Sequence, residues 1–237
     1  IRYALHPVTP ATKVSGMVLE NPPFLLMLEH FGIGPAFGEQ SVAEVCERYG
    51  IRIGLFLTFA ALFNGHEMPP ADRVVADDVP VIIRFLRSGH TWYREEKLPG
   101  IAGLLHRMGE LNQSPGMKLA EQFFTDYSRE MTEHFRFEDE TVFPYMSSLC
   151  GMGSEKAAGP FRVTDYREHH DDIEEKLSDL VSLLVKYLPG EADRSIRREL
   201  LLSLFGLEHD LHIHSRIEDQ ILIPLVEQME SRLLTGP

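Results

Sequence analysis

Five residues of this chain recur 80 positions further on. His90 and His170, His134 and His214, Glu138 and Glu218, Asp139 and Asp219, and Pro144 and Pro224 all share that offset (170 − 90, 214 − 134 and so on). Glu130 and Asp210, acids of different length, keep it too. A constant offset reads as a duplicated supersecondary unit, each copy needing the other to bury its apolar face. Within a copy the first histidine precedes the second by 44 residues (134 − 90, 214 − 170). At ~1.5 Å per helical residue, with a turn midway, that separation returns both histidines to similar depth on neighbouring helices.

The surrounding pattern is helical. Ile83, Leu86, His90, Tyr93, Lys97, Ile101 and Leu104 follow alternating steps of three and four, as do Tyr166, His170, Ile173, Leu177, Leu180 and Leu184. Leu200, Leu204, Leu207, Leu211, His214, Glu218, Ile221 and Leu225 form a third stripe. Breaks at 112–116, 150–160 and 188–193 cut this region into four helices, which predicts an all-α, antiparallel up-down four-helix bundle.

Ahead of the bundle, residues 1 to about 16 read as an extended leader. Three short helices follow, in "PPFLLMLEHFGIG", in "QSVAEVCERYGI" with Ser41 and Glu44 as a capping box, and in "GLFLTFAALFNG". The Pro- and Asp-rich "HEMPPADRVVADDVP" then suggests a boundary, giving a small helical N-terminal domain over 1–70 and the bundle over 71–237.

Bulk properties narrow the function. A net charge of −13, without a run of Lys or Arg, argues against nucleic-acid binding. Cys46 and Cys150 are far apart and lack CxxC spacing, so they read as reduced thiols rather than a disulfide or thiolate metal site. The longest apolar stretch, Ile53–Phe63, is well short of the ~18 residues of a membrane span. No basic segment and cleavage site precede it, so a cytoplasmic protein without membrane contact is expected.

The polar residues inside the stripes carry the chemistry. A His at i and a Glu at i+4 share one helix face and can reach one point, so His134/Glu138 and His214/Glu218, joined by His90 and His170, can surround metal ions. Imidazole with carboxylate suits iron, and a bundle interior is a place for it. Buried carboxylates lose several kcal/mol each to desolvation unless a cation balances them. His169 competes with His170, which keeps both the stripe and the offset; His169 is left as a neighbour of the site. Glu130 and Asp210, one turn before His134 and His214, are candidates to accept the far imidazole N–H or relay protons, with a capping or solvent role as the alternative. His209 and His212 fall off the last stripe and are read as solvated, as are His6, His30, His66 and His106. No nucleophile with a paired base is evident, which disfavours hydrolytic chemistry.

The segments "SGHTWYREEKLP", "HFRFEDETVFP", "REHHDDIEEKL" and "HSRIEDQILIP" together resemble the hemerythrin-like cation-binding family, over the chain from about Pro80 onward. The resemblance implies a four-helix bundle around two non-haem irons. His90, His134, His170 and His214 would be terminal ligands, Glu138 and Glu218 would bridge, and an oxo, hydroxo or water bridge would complete the site. Oxygen carriers of the family use five histidines with a His-x-x-x-His pair, whereas Glu174 follows His170 and Arg94 follows His90 by four. The open positions that result imply NO or O2 chemistry, or iron transfer, more than reversible oxygen carriage.

A second likeness concerns the N-terminal part. "LLMLEHFGIGPAFGEQSVAEVCERYGI" and the later "GMGSEKAAGP" resemble bacterial iron–sulfur cluster repair di-iron proteins. That implies protection of iron–sulfur clusters under nitrosative or oxidative stress, with damaged iron–sulfur proteins as partners. The family's Cys-Cys-Gly-Gly stretch is replaced by "GPAFG" at 34–38, with only Cys46 nearby, so chemistry through a vicinal thiol pair is in doubt and packing or homodimer formation is an alternative role. Whether the chain is an enzyme stays open, and the rival readings are an O2- or NO-sensing module and a metal-storage or structural zinc bundle.

Overall fold

Ser41 opens helix α3 as the capping box requires. Its hydroxyl accepts the Glu44 N–H at 3.3 Å, and the Glu44 carboxylate accepts the Ser41 N–H at 2.7 Å, so two helix-end donors are satisfied reciprocally. The computed structural model describes residues 6–67, 73–112, 114–152, 163, 166, 173–187 and 194–235. All of the regular structure among them is helical, as the periodicity predicts, and an isolated bridge between Lys13 and Ser41 adds no strand. The chain gathers into two compact units, one of residues 1–88, 145–164 and 216–237 and one of 89–144 and 165–215. The boundary expected at 70/71 lies outside the described residues.

In the first unit, α1 (Val14–Glu20), α2 (Phe24–His30), α3 (Val42–Tyr49) and α4 (Ile53–Phe63) precede a short 3-10 turn, Ala76–Asp78, and α5 (Val79–Trp92). The expected leader is shorter than 16 residues, because α1 starts at Val14 and buries Val14 and Met17. Two helical turns are too few to display a period. Asn21, at its end, donates to the Phe63 carbonyl at 3.1 Å and to the Asn64 side chain at 2.9 Å, tying α1 to the end of α4.

The core of this unit is aromatic. Phe31 meets Phe85 at 4.8 Å and Phe59 at 5.4 Å between ring centroids, and Phe59 meets Phe85 at 4.8 Å. Each buried phenylalanine contributes roughly 1.5–3 kcal/mol of transfer free energy. His30, expected in solvent, is instead buried edge-on to Phe85 at 5.2 Å, because the helix that carries it packs its Phe24–Met27–His30 side inward. Gly54 is a requirement of space: a Cβ there would stand 2.3 Å from the Arg73 carbonyl oxygen. Asp78, almost fully buried, accepts from Arg52 at 2.7 Å and from the Val75 N–H at 2.9 Å.

The second unit is the bundle. Its helical segments are the end of α5, α6 (Leu98–Leu111), α7 (Pro115–Phe137), α9 (Ile173–Tyr187) and nearly all of α10 (Arg194–Ile217); most of α8 (Phe143–Ser147) and all of α11 (Ile223–Thr235) belong to the first unit. Ser114 caps α7 and Pro115 occupies its first turn, where a missing N–H costs nothing. Leu105, Phe124, Met131, Phe135, Leu177, Leu200, Leu204 and Leu207 interlock as its core, drawn from α6, α7, α9 and α10.

Besides a π segment at Ser148–Met152 that ends α8, three helices widen into a proline-associated π-turn at Tyr93–Lys97, Glu138–Val142 and Glu218–Leu222. The last two start 80 residues apart, so the duplication extends to the backbone (218 − 138). Each of these three ends two residues before a proline, Pro99, Pro144 or Pro224. Proline has no N–H for the carbonyl four residues back and its ring crowds that carbonyl, and a wider turn relieves both problems. No helix among the described residues is long and apolar enough to cross a membrane.

Candidate metal centre

Helix α7 brings His134 and Glu138 into line at its end, with Glu138 as the first residue of its π-turn. Glu138 is fully buried, and its Oε1 lies 2.9 Å from His134 Nε2. Its other oxygen, Oε2, lies 3.2 Å from Nε2 of His90, which is also fully buried at the end of α5. His90 Nε2 in turn faces His214 Nε2 on α10 at 3.1 Å. His90, Glu138 and His214 thus each offer a ligand atom within 4.8 Å of the others. Glu218 follows His214 by one turn on the continuing helix, starts the matching π-turn and is buried.

Neighbouring side chains fix this arrangement. His90 Nδ1 donates to Asp139 Oδ1 at 3.1 Å, and Arg94 reaches Oδ2 of the same carboxylate at 3.2 Å. The His90 ring stacks on Phe135 at 4.3 Å and lies parallel to Phe143 at 5.6 Å. The Tyr166 hydroxyl donates to Glu138 Oε1. Gly89 leaves room for His214, since a Cβ there would sit 3.3 Å from His214 Nδ1.

The electrostatics follow from the packing. Burial alone would depress the pKa of His90, but the hydrogen bonds and charges of Asp139 and Glu138 outweigh it and push the imidazole up to about 9. Burial would raise Glu138, yet His134 and His90 hold its carboxyl well below the usual range. The two directions describe imidazoles and carboxylates facing one another, each stabilising the other's charged form.

Other expected residues lie elsewhere. Asp210 is buried and accepts the Tyr93 hydroxyl at 2.5 Å. Glu130, a candidate to accept an imidazole N–H with a solvent role as the alternative, is half-exposed and pairs with Lys176 at 2.6 Å. Glu174 and His212 face each other at 2.9 Å on the exposed side of α9 and α10. His169 and His170 lie outside the described residues. Asp139, Tyr93, Tyr166 and Gly89 were not singled out as site residues. Tyr93 and Tyr166 carried a signal nonetheless, as hydroxyls within core stripes, and Asp139 shares the 80-residue offset.

The sequence profile described as the hemerythrin HHE cation binding domain matches residues 98–226, more than half of the chain. The chain belongs to the hemerythrin HHE family. A comparison with curated proteins found no match. The matched span includes His134, Glu138, His214 and Glu218 and begins eight residues after His90 (98 − 90). A hemerythrin HHE domain binds metal cations, and the residues present fit one. Imidazole nitrogens and a carboxylate turn toward one another in a buried pocket, a donor set of N and O that suits iron and other first-row metals.

Proposed function

We propose that this hemerythrin-family chain is a non-haem di-iron protein that protects or repairs iron–sulfur clusters under nitrosative or oxidative stress. The observation that carries the metal reading is the buried convergence of His90, Glu138 and His214 on one point. Residues 25–51, similar to the N-terminal domain of the repair proteins, favour the repair role over simple storage.

His90, His134, His170, His214, Glu138 and Glu218 would hold the irons. Bound iron would supply redox chemistry and open positions for NO or O2. The chain's own residues do the rest. Asp139 holds the His90 ring with Nε2 toward the centre, as outer carboxylates do for ligating imidazoles. Tyr166 fixes one Glu138 oxygen. Phe135 and Phe143 flank His90 and exclude water, so charges inside the pocket act at low dielectric. The protein would act in the cytoplasm on damaged iron–sulfur proteins, as a homodimer if the N-terminal part serves association.

Iron content per chain, followed by reactivation of an NO-damaged iron–sulfur enzyme with the iron-loaded protein, tests this. Two irons and reactivation that disappears in Glu138→Leu are the expected results. Reactivation by the variant at the native rate would refute the repair reading. Reversible NO or O2 binding without reactivation would point to sensing, and zinc in protein from its own host would point to a structural bundle.

A further inference from the structure

The bundle unit carries a groove of about 510 Å³ that shares no residue with the metal centre. It lies along the π-turn of Tyr93–Lys97 and the first turns of α6, with α10 as its far wall. Its size falls within the ~300–1,000 Å³ typical of small-molecule sites.

Three features define what it fits. Trp92 offers an indole that is partly buried on the core. Gly100 and Gly103, one turn apart on α6, leave open space where side chains would project, so the wall beside the indole is flat. Lys97 and Arg107 both line the groove, and neither has a hydrogen bond or close ion pair among the described residues. The Lys97 ammonium lies 5.4 Å over the Trp92 ring and packs against α10 at Gly206, where a Cβ would come within 3.4 Å of Nζ. Glu199 supplies an acceptor on the opposite wall.

We propose that this groove binds a planar heterocycle bearing a phosphate or carboxylate. The ring lies along Gly100 and Gly103 beside Trp92, its N–H groups face Glu199, and its anion meets Lys97 and Arg107. Lys97 and Arg107 place two cations in a lining that also holds Glu96 and Glu199, so the groove offers donors to an anion and acceptors to ring N–H groups. The Trp92 ring is 5.4 Å from Tyr93, which stands edge-on to His214 at 5.7 Å, so the occupant is two aromatic rings from a residue of the metal centre.

Trp92 is the single tryptophan of the chain, which makes it a reporter of its own groove. The full-length protein, metal-loaded and metal-free, is titrated with flavin mononucleotide, riboflavin and inorganic phosphate, by equilibrium dialysis and Trp92 fluorescence. The mononucleotide binds saturably below ~1 mM and quenches Trp92, while riboflavin and phosphate each bind at least about tenfold more weakly. Arg107→Gln weakens the mononucleotide by about fivefold or more and leaves riboflavin unchanged. Gly103→Leu, at an exposed helix position, fills the groove and removes binding with the thermal transition and helical circular dichroism retained. Absence of saturable binding by the mononucleotide, equal affinity for riboflavin, or undiminished binding in Gly103→Leu overturns the proposal.

Discussion

Tyr93 donates its hydroxyl to Asp210 at 2.5 Å, joining the end of α5 to α10 within the buried interior of the bundle. Hydrogen bonds to charged groups contribute about 1.5–3 kcal/mol, more than neutral ones. Tyr93→Phe keeps the ring that packs on Phe135 and loses only this bond. Urea denaturation of the variant is expected to show a loss of that size, and an unchanged midpoint would mean that the bond is not formed in solution.

Gly89→Ala separates stability from metal affinity. Alanine in a helix interior is favoured over glycine by roughly 0.5–1 kcal/mol. The added methyl, however, would sit 3.3 Å from His214 Nδ1, close enough to push the ring by a few tenths of an ångström. The expected variant melts no lower than the parent while binding its metal more weakly. Equal affinity for metal would show that His214 has room to yield.

Asp139→Asn removes the carboxylate that accepts from His90 Nδ1. Loss of such a partner typically costs about 10–100-fold in metal affinity, because the ring is no longer held in one orientation and tautomer. Competition with a chelator of known affinity measures the change. Asp219→Asn probes the equivalent position of the second copy.

The two cysteines should differ in reactivity. Burial pushes the Cys46 thiol up to about 11, and burial with the charge of Asp77 raises Cys150, which is partly exposed. The thiolate is the nucleophile, so a raised pKa leaves less of it at any given pH. Native protein at neutral pH should alkylate slowly at Cys150 and more slowly still at Cys46. The Cys150 rate should keep climbing beyond pH 9, the ordinary thiol value, while Cys46 reacts freely only in denaturant. Mass spectrometry of timed samples reads both sites.

Much of the bundle and its polar centre was legible because helical periodicity is a property of side-chain order. His90, Glu138 and His214 sit where apolar residues belong, and the structure buries all three. The α3 capping box was equally readable, since Ser41 and Glu44 interact across three residues. His30 was misread because its burial depends on Phe85, brought near only by tertiary packing. Asp139 escaped notice as a partner of His90 because it neighbours Glu138 in sequence yet points toward a different helix. The π-turns leave no trace in side-chain period, although the prolines two residues beyond them were a usable sign.

Those prolines have a lasting effect on Glu138 and Glu218. A turn that cannot tighten without a steric clash keeps its opened shape whether or not an ion is bound. The carboxylates are therefore positioned when the chain folds, and loading or swapping an ion need not rebuild the helix beneath them. Competition among metals at this centre would then be settled by radius and ligand preference, with the scaffold acting as a fixed gauge.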